Sequence, residues 1–273
     1  PIENRYELNE RLANLFESAM ETLDKKLSYA RYQAIAYLKP EAANGLYDNA
    51  ELISRSLAGI RKNGLVKRLE SSFYAFQISL NNFRQANQNM IDMFNRDKVF
   101  IAPDLDINNL LEAGLSDEEI EEKLNAKAEE NPKNSVFKAD DFDPEYIELL
   151  QQDKEILEKL YKDWEGITDE DDSKFAKFNE LLKHELFNTD RNPEQKLVVF
   201  SESVDTVKYL EQRINRKDVL VISADNRSKL FKTIRENFDA NYKTKLNKYN
   251  IILTTDVLAE GVNLHRANVI VNY

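Results

Sequence analysis

The stretch Ile251 to Leu264 reads Ile-Ile-Leu-Thr-Thr-Asp-Val-Leu-Ala-Glu-Gly-Val-Asn-Leu, and its order of residue types decides the fold. Three consecutive large apolar residues, then two hydroxyl residues and Asp256, make a strand buried on both faces, as in a parallel sheet, that runs out at the acid. A small-residue turn containing Gly261 follows. In open α/β sheets ligands sit beyond the carboxyl ends of the strands, so Thr254, Thr255, Glu260, Gly261 and Asn263 become candidate binding residues. Thr254, Thr255 and Asp256 alone also fit a helix cap, because hydroxyls and carboxylates satisfy the first free amides of a helix. A cap requires neither the glycine nor the later amide, and the full set therefore favours a ligand site.

The flanking sequence carries the same period. Lys196 to Ser201, Val219 to Ser223 and Val269 to Tyr273 read as further strands, separated by helical patterns at Val204, Val207, Leu210 and Ile214 and at Leu230, Phe231, Ile234 and Phe238. Strands alternating with helices of about 10 to 15 residues predict an α/β fold with a parallel sheet and crossover connections.

The form Thr254-Thr255-Asp256-x-x-x-Glu260-Gly261-x-Asn263-Leu264 resembles the fifth conserved motif of superfamily 2 helicases and translocases, in the version used by bacterial Swi/Snf-type ATPases. With Val199-Phe200-Ser201-Glu202 ending the first strand, residues 192–273 resemble the second RecA-like lobe of such a motor. Two shorter stretches resemble the same family. Lys67-Arg68-Leu69-Glu70-Ser71-Ser72-Phe73-Tyr74-Ala75-Phe76 is similar to the helical segment joining the two lobes, and Asp172-Ser173-Lys174-Phe175 to the opening of the second lobe. The resemblance implies that Ser201, Thr254 and Thr255 contact the nucleic-acid phosphate backbone, while Glu260, Gly261 and Asn263 face the nucleotide and the first lobe. Ser223-Ala224-Asp225-Asn226-Arg227 departs from the pattern, which often has a glycine before its arginine, so no role is carried to Arg227. Asn263 stands where many helicases, though not Swi/Snf-type ones, have a ribose-binding aspartate.

Upstream the pattern is helical. Leu12, Leu15, Phe16, Ala19, Met20 and Leu23 recur at helical spacing, a second helix is expected from Leu27 to Leu38 ahead of Pro40, and a third from Asn49 to Ile60. Leu69, Phe73, Phe76, Leu80, Phe83, Asn87, Met90 and Phe94 predict one long helix with a heptad-like seam, whose aromatic residues read as core packing. Lys67, Arg68 and Arg84 on it are candidates for nucleic-acid contact, with a solvated face as the plainer account. Asp143-Pro144 opens another helix, closed by Gly166, and the acids at Asp169 to Asp172 read as a cap and not as a calcium loop, since the alternating ligands and glycine of an EF-hand are missing.

The formal net charge of −11 is concentrated: residues 101–150 hold 15 Asp and Glu against 4 Lys and Arg, leaving 34 of each sign elsewhere. This segment is expected to be partly disordered or a peripheral lid, with Ser116 and Glu119 as a capping box. The expected organisation is an inter-lobe helical region over 1–95, an acidic insert over 96–142, a helical lead-in over 143–190 and the RecA-like lobe over 191–273. No cysteine is present, which excludes disulfides and thiolate metal sites, and His184 and His265 are too isolated for zinc. No apolar run is long enough to cross a bilayer and no secretory signal opens the chain, so a cytoplasmic location and no membrane partner are expected.

The sequence contains no Gly-x-x-x-x-Gly-Lys-Ser/Thr phosphate loop and no Asp-Glu pair at a strand end. The reading is therefore of an excised piece whose RecA-like domain lacks its carboxyl-terminal part. The intact parent is expected to be an ATP- and Mg2+-dependent helicase or translocase on duplex DNA, partnered by its own first lobe. These residues alone are expected to hold no nucleotide or metal and to be inactive. Two readings of other classes stand beside it: a helical and acidic module that binds a protein partner, and a small-molecule enzyme on a doubly wound sheet, the weakest because no glycine-rich first turn exists.

Overall fold

The computed structural model describes residues 2–112, 117–258 and 262–273. Two compact units are formed, one from residues 15–66 and 79–166 and the other from residues 1–14, 67–78 and 167–273.

The first unit is mainly helical. Its core packs Met90, Met93 and Phe94 of helix Phe73–Asn95 with Tyr146 and Leu150 of helix Pro144–Glu165. Asn87, fully buried in the seam, donates its amide to the Leu150 carbonyl at 2.9 Å, which is how a polar residue is accommodated there. The acidic segment is neither disordered nor peripheral over its described residues. It supplies Phe100, Ile107, Ile120, Leu124, Phe137 and Phe142 to the same core, and strand β1 (Val99–Ile101) pairs antiparallel with β2 (Ser135–Phe137). These apolar residues are spaced so that they point inward, while acids such as Asp104, Asp106, Glu122 and Glu129 stay outside. Helix Asp117–Ala128 is present, and the expected cap at Ser116 lies outside the described residues.

The helix expected from Leu27 to Leu38 does not form. Short 3-10 turns at Ala30–Tyr32 and Ala34–Ala36 replace it, and Tyr29 adopts φ 58. The cause is Asp153, whose buried carboxylate accepts from Ser28 N at 2.8 Å, Ser28 Oγ at 2.9 Å and Ala30 N at 2.9 Å. Those amides are thereby withdrawn from a helical ladder. Further on, Leu38 forms an antiparallel bridge with Phe142, and Pro40 starts a short helix, Pro40–Ala43.

The second unit holds a four-stranded parallel sheet of β3 (Leu197–Phe200), β4 (Val219–Ile222), β5 (Ile251–Thr254) and β6 (Val269–Asn272), in the order β4-β5-β3-β6. Strand periodicity sorts the side chains onto two faces. Leu197, Val199, Ile251 and Leu253 pack with Phe175, Phe178 and Leu182 of helix Ser173–His184 and Val207 and Leu210 of helix Val204–Arg213. Val198, Leu220, Ile222 and Ile252 pack instead with Ile234 and Phe238 of helix Arg227–Phe238. The sheet is covered on both faces over β3, β4 and β5, as their apolar strands require, whereas edge strand β6 leaves Ile270 exposed on one face.

The long seam helix is interrupted. Helix Ala50–Ser71 ends and Phe73–Asn95 begins around Ser72, whose hydroxyl accepts from Ala75 N at 3.0 Å as an N-cap. Replacing Ser72 by alanine should cost about 1 kcal/mol in thermal unfolding, the usual worth of a serine cap; no change would mean that contacts not made by the Ser72 hydroxyl hold this joint.

Candidate nucleic-acid interface

The carboxyl ends of β3 and β5 lie side by side. Phe200 is in register with Thr254, and Ser201 N continues the ladder to the Thr254 carbonyl at 3.0 Å. Ser201, Thr254 and Thr255 are therefore brought together, as the strand pattern implied, and all three are buried. Thr254 is the most enclosed, donating its hydroxyl to the Thr255 carbonyl at 3.0 Å. Asn263 is exposed in the turn that leads to β6. Glu260 and Gly261 lie outside the described residues.

The Ser201 hydroxyl belongs to a network that the sequence did not reveal. It lies 3.3 Å from Ser71 Oγ and accepts from Ser203 N at 3.4 Å. Thr206 Oγ1 lies 2.9 Å from Ser71 Oγ and 3.1 Å from Ser72 Oγ. Ser203 in turn caps helix Val204–Arg213, accepting from Thr206 N at 3.3 Å. The break between the two long helices is thus fixed by hydroxyls at the ends of the strands. The one available signal was Ser71-Ser72, two small hydroxyl residues inside an apolar heptad, which is a cap pattern.

Lys174 completes the joint. Its ammonium donates to the carbonyls of Glu70 at 3.1 Å and Ser71 at 2.9 Å, where helix Ala50–Ser71 presents the negative end of its dipole. Burial pulls the Lys174 pKa below its ordinary value. Asp172, two residues before, caps helix Ser173–His184 by accepting from Phe175 N at 2.8 Å and also accepts from the Tyr209 hydroxyl at 2.8 Å. Burial, then the Asp172 charge, raises the Tyr209 pKa. Of the acids at 169–172, Asp172 caps the following helix, as expected, and Asp171 closes a capping box on Thr168, whereas Asp169 pairs with Arg213 at 2.7 Å.

Chemically, this is a donor-rich edge. Among the described residues the hydroxyls of Ser71, Ser72, Ser201, Thr206 and Thr254 are not bonded to a carboxylate or an imidazole that would activate them as nucleophiles, so the arrangement suits recognition of oxyanions better than covalent chemistry. The sequence has no phosphate loop, and no group of three acidic, histidine or cysteine side chains among the described residues could hold a metal ion. Of the basic residues singled out on the helices, Lys67 pairs with Glu202 at 3.0 Å, and Arg84 is held by Glu158 at 2.9 and 3.1 Å and stacks over Tyr161 at 4.3 Å. Arg84 is a packing residue. Among the described residues no helix is long and apolar enough to cross a membrane.

Residues 173–273 match the family model described as the helicase conserved C-terminal domain. The match covers the four parallel strands and the helices on both faces, so this stretch is similar to the RecA-like carboxyl-terminal lobe of helicases. No curated protein sequence matches the chain. Similar solved structures include the Hef helicase domain of Pyrococcus furiosus, with 15% identity and a TM-score of 0.34, covering 95% of this chain and 46% of that one. Another is the C-terminal part of the Fun30 ATPase domain, with 16% identity and a TM-score of 0.35, covering 98% of this chain and 73% of that one. The chain thus spans less than half the length of the Hef structure.

Proposed function

We propose that this chain is part of an ATP-driven nucleic-acid translocase of the Swi/Snf type acting on duplex DNA, and that it supplies the second motor lobe. The observation that supports the reading is the hydrogen bond from Ser201 N to the Thr254 carbonyl, which sets Ser201 beside the end of the strand that leads into Thr255, inside a stretch that matches a helicase carboxyl-terminal domain. Ser201, Thr254 and Thr255 are proposed to serve the phosphate backbone, and Glu260, Gly261 and Asn263 the nucleotide and the first lobe. ATP and Mg2+ would be held mainly by parts of the parent that carry a phosphate loop. Phosphate contacts carry no sequence information, so binding should be indifferent to sequence and weaken as salt rises.

Thr255 is the residue to test, because it is the least enclosed of the three; Thr254 is fully buried, so its truncation would report packing. In a fluorescence titration with labelled duplex, Thr255→Ala should bind about tenfold more weakly, the loss of one hydrogen bond to a charged group, with unchanged melting. Equal affinity would leave these hydroxyls as structural caps.

A protein partner for the helical unit is a second reading. It is favoured by Leu52, Ile53, Leu57 and Ile60, four large apolar side chains exposed along helix Ala50–Ser71.

A further inference from the structure

We propose that the loop after helix Arg227–Phe238, together with the exposed lysines along that helix, forms a separate binding surface for the phosphate backbone of nucleic acid, centred on the loop at the amino end of the strands. The inference goes beyond the function proposed above, because this surface would bind whether or not those hydroxyls do.

Charge is the first observation. Residues 227–248 contain 7 Lys and Arg against 2 Asp and Glu, a balance of +5 in a chain whose net charge is −11. Lys229, Lys232, Lys243, Lys245 and Lys248 are all exposed. Lys229, Lys243, Lys245 and Lys248 have no carboxylate partner within 4.0 Å among the described residues, and Lys232 meets Glu236 only at 3.7 Å. A basic patch of this density on an acidic chain is a local field that selects polyanions.

Geometry joins the helix and the loop into one surface. The Arg235 guanidinium lies 5.7 Å from the Phe231 ring centroid and 4.5 Å from that of Tyr242, so it bridges an exposed helix aromatic to a loop aromatic. Leu246 N donates to the Glu236 carbonyl at 2.7 Å. Cations interleaved with accessible rings are the composition that tracks a nucleic-acid backbone while leaving faces for stacking.

The loop is also held firmly, although it has no regular structure. Asn237 Oδ1 accepts from Lys248 N at 2.9 Å and Tyr249 N at 3.0 Å. Buried Arg266 donates to the Leu246 carbonyl at 2.8 Å and to Asn247 Oδ1 at 2.6 Å. Buried Lys196 donates to the Tyr249 carbonyl at 2.6 Å and to Asn250 Oδ1 at 2.8 Å. Such internal pinning leaves the exposed lysines presented from a rigid frame, and preorganisation reduces the entropic cost of binding. Because the loop leads into the amino end of β5, it sits at the opposite end of the strands from Ser201 and Thr255.

The test is a duplex titration of the full chain across salt concentrations, comparing the parent with the triple variant Lys243→Gln, Lys245→Gln, Lys248→Gln and with the corresponding triple Lys→Arg form. Each phosphate contact removed takes about 0.9 from the slope of log affinity against log salt, so the glutamine form should lose about 2 to 3 from the slope and bind at least about tenfold more weakly. The arginine form should behave like the parent. Because the three side chains are exposed, melting should not change, and Lys229→Gln with Lys232→Gln should show a smaller loss of the same kind. An unchanged slope in the glutamine triple overturns the proposal, and if Thr255→Ala still loses affinity the strand-end reading survives it. Loss in the triple with none in Thr255→Ala supports this surface alone. Binding of the parent to phosphatidylserine vesicles but not to duplex also overturns it.

Discussion

Asp153→Ala should destabilise the helical unit by about 3 kcal/mol, which for a domain of this size lowers the melting temperature by roughly 6 to 12 °C. Three donors converge on that buried carboxylate, from Ser28 N, Ser28 Oγ and Ala30 N. Truncation leaves all three unsatisfied, and each buried orphan costs about 1–3 kcal/mol, with partial relaxation reducing the sum. Asp153→Asn should cost less, since it keeps one acceptor. The pair also gives a pH test. Burial raises the Asp153 pKa above its ordinary value, against the opposing effect of the hydrogen bonds from Ser28 and Ala30. A carboxyl whose folded pKa is raised binds more protons folded than unfolded. Its contribution to stability is therefore full below the unfolded pKa and is lost as pH rises through the folded value. The stability of the parent relative to Asp153→Asn should grow as pH falls from 7 toward 4. A difference that stays flat, or shrinks, would show that the three donors outweigh burial.

That same aspartate explains the largest misreading of the sequence. Residues 27–38 have helical composition, but a carboxylate more than a hundred positions downstream competes for their amides, and no local pattern announces it. The acidic segment was misjudged for a related reason. Its average charge is that of a disordered stretch, whereas Phe100, Ile107, Ile120, Leu124, Phe137 and Phe142 sit where each can reach one core. The parallel sheet was legible because burial on both faces forces near-continuous apolar strands, and alternation within them then assigns Leu197 and Val199 to one face and Val198 to the other. Of the site, the strand ends were legible and their surroundings were not. Ser201 was expected to face a ligand, yet its hydroxyl also meets Ser71, a contact across 130 positions that depends on the helix break. Arg266 carried one faint signal, a charge between the apolar turn and the last strand.

Arg266→Ala should cost the sheet unit about 3 kcal/mol or more. Its guanidinium donates to Glu194 Oε2 at 2.9 Å, the Asn237 carbonyl at 3.0 Å, the Leu246 carbonyl at 2.8 Å and Asn247 Oδ1 at 2.6 Å. The Asn237 carbonyl belongs to the last turn of helix Arg227–Phe238, which has no further helical amide to receive, so the arginine acts there as a C-terminal cap with favourable charge. Glu194 is half exposed and can return to water when the arginine is removed; the backbone carbonyls cannot, and they set the cost. Arg266→Lys should recover little, because an ammonium has no planar fork with which to reach the helix end, the loop and the carboxylate together. Hydrogen exchange locates the effect. Amides of Leu246, Lys248 and Tyr249 should lose protection in Arg266→Ala well before those of Ile252 and Leu253 in β5, because loop and strand would then open separately. Uniform loss of protection through loop and strand would mean that Arg266 stabilises the whole sheet and does not specifically clasp the loop.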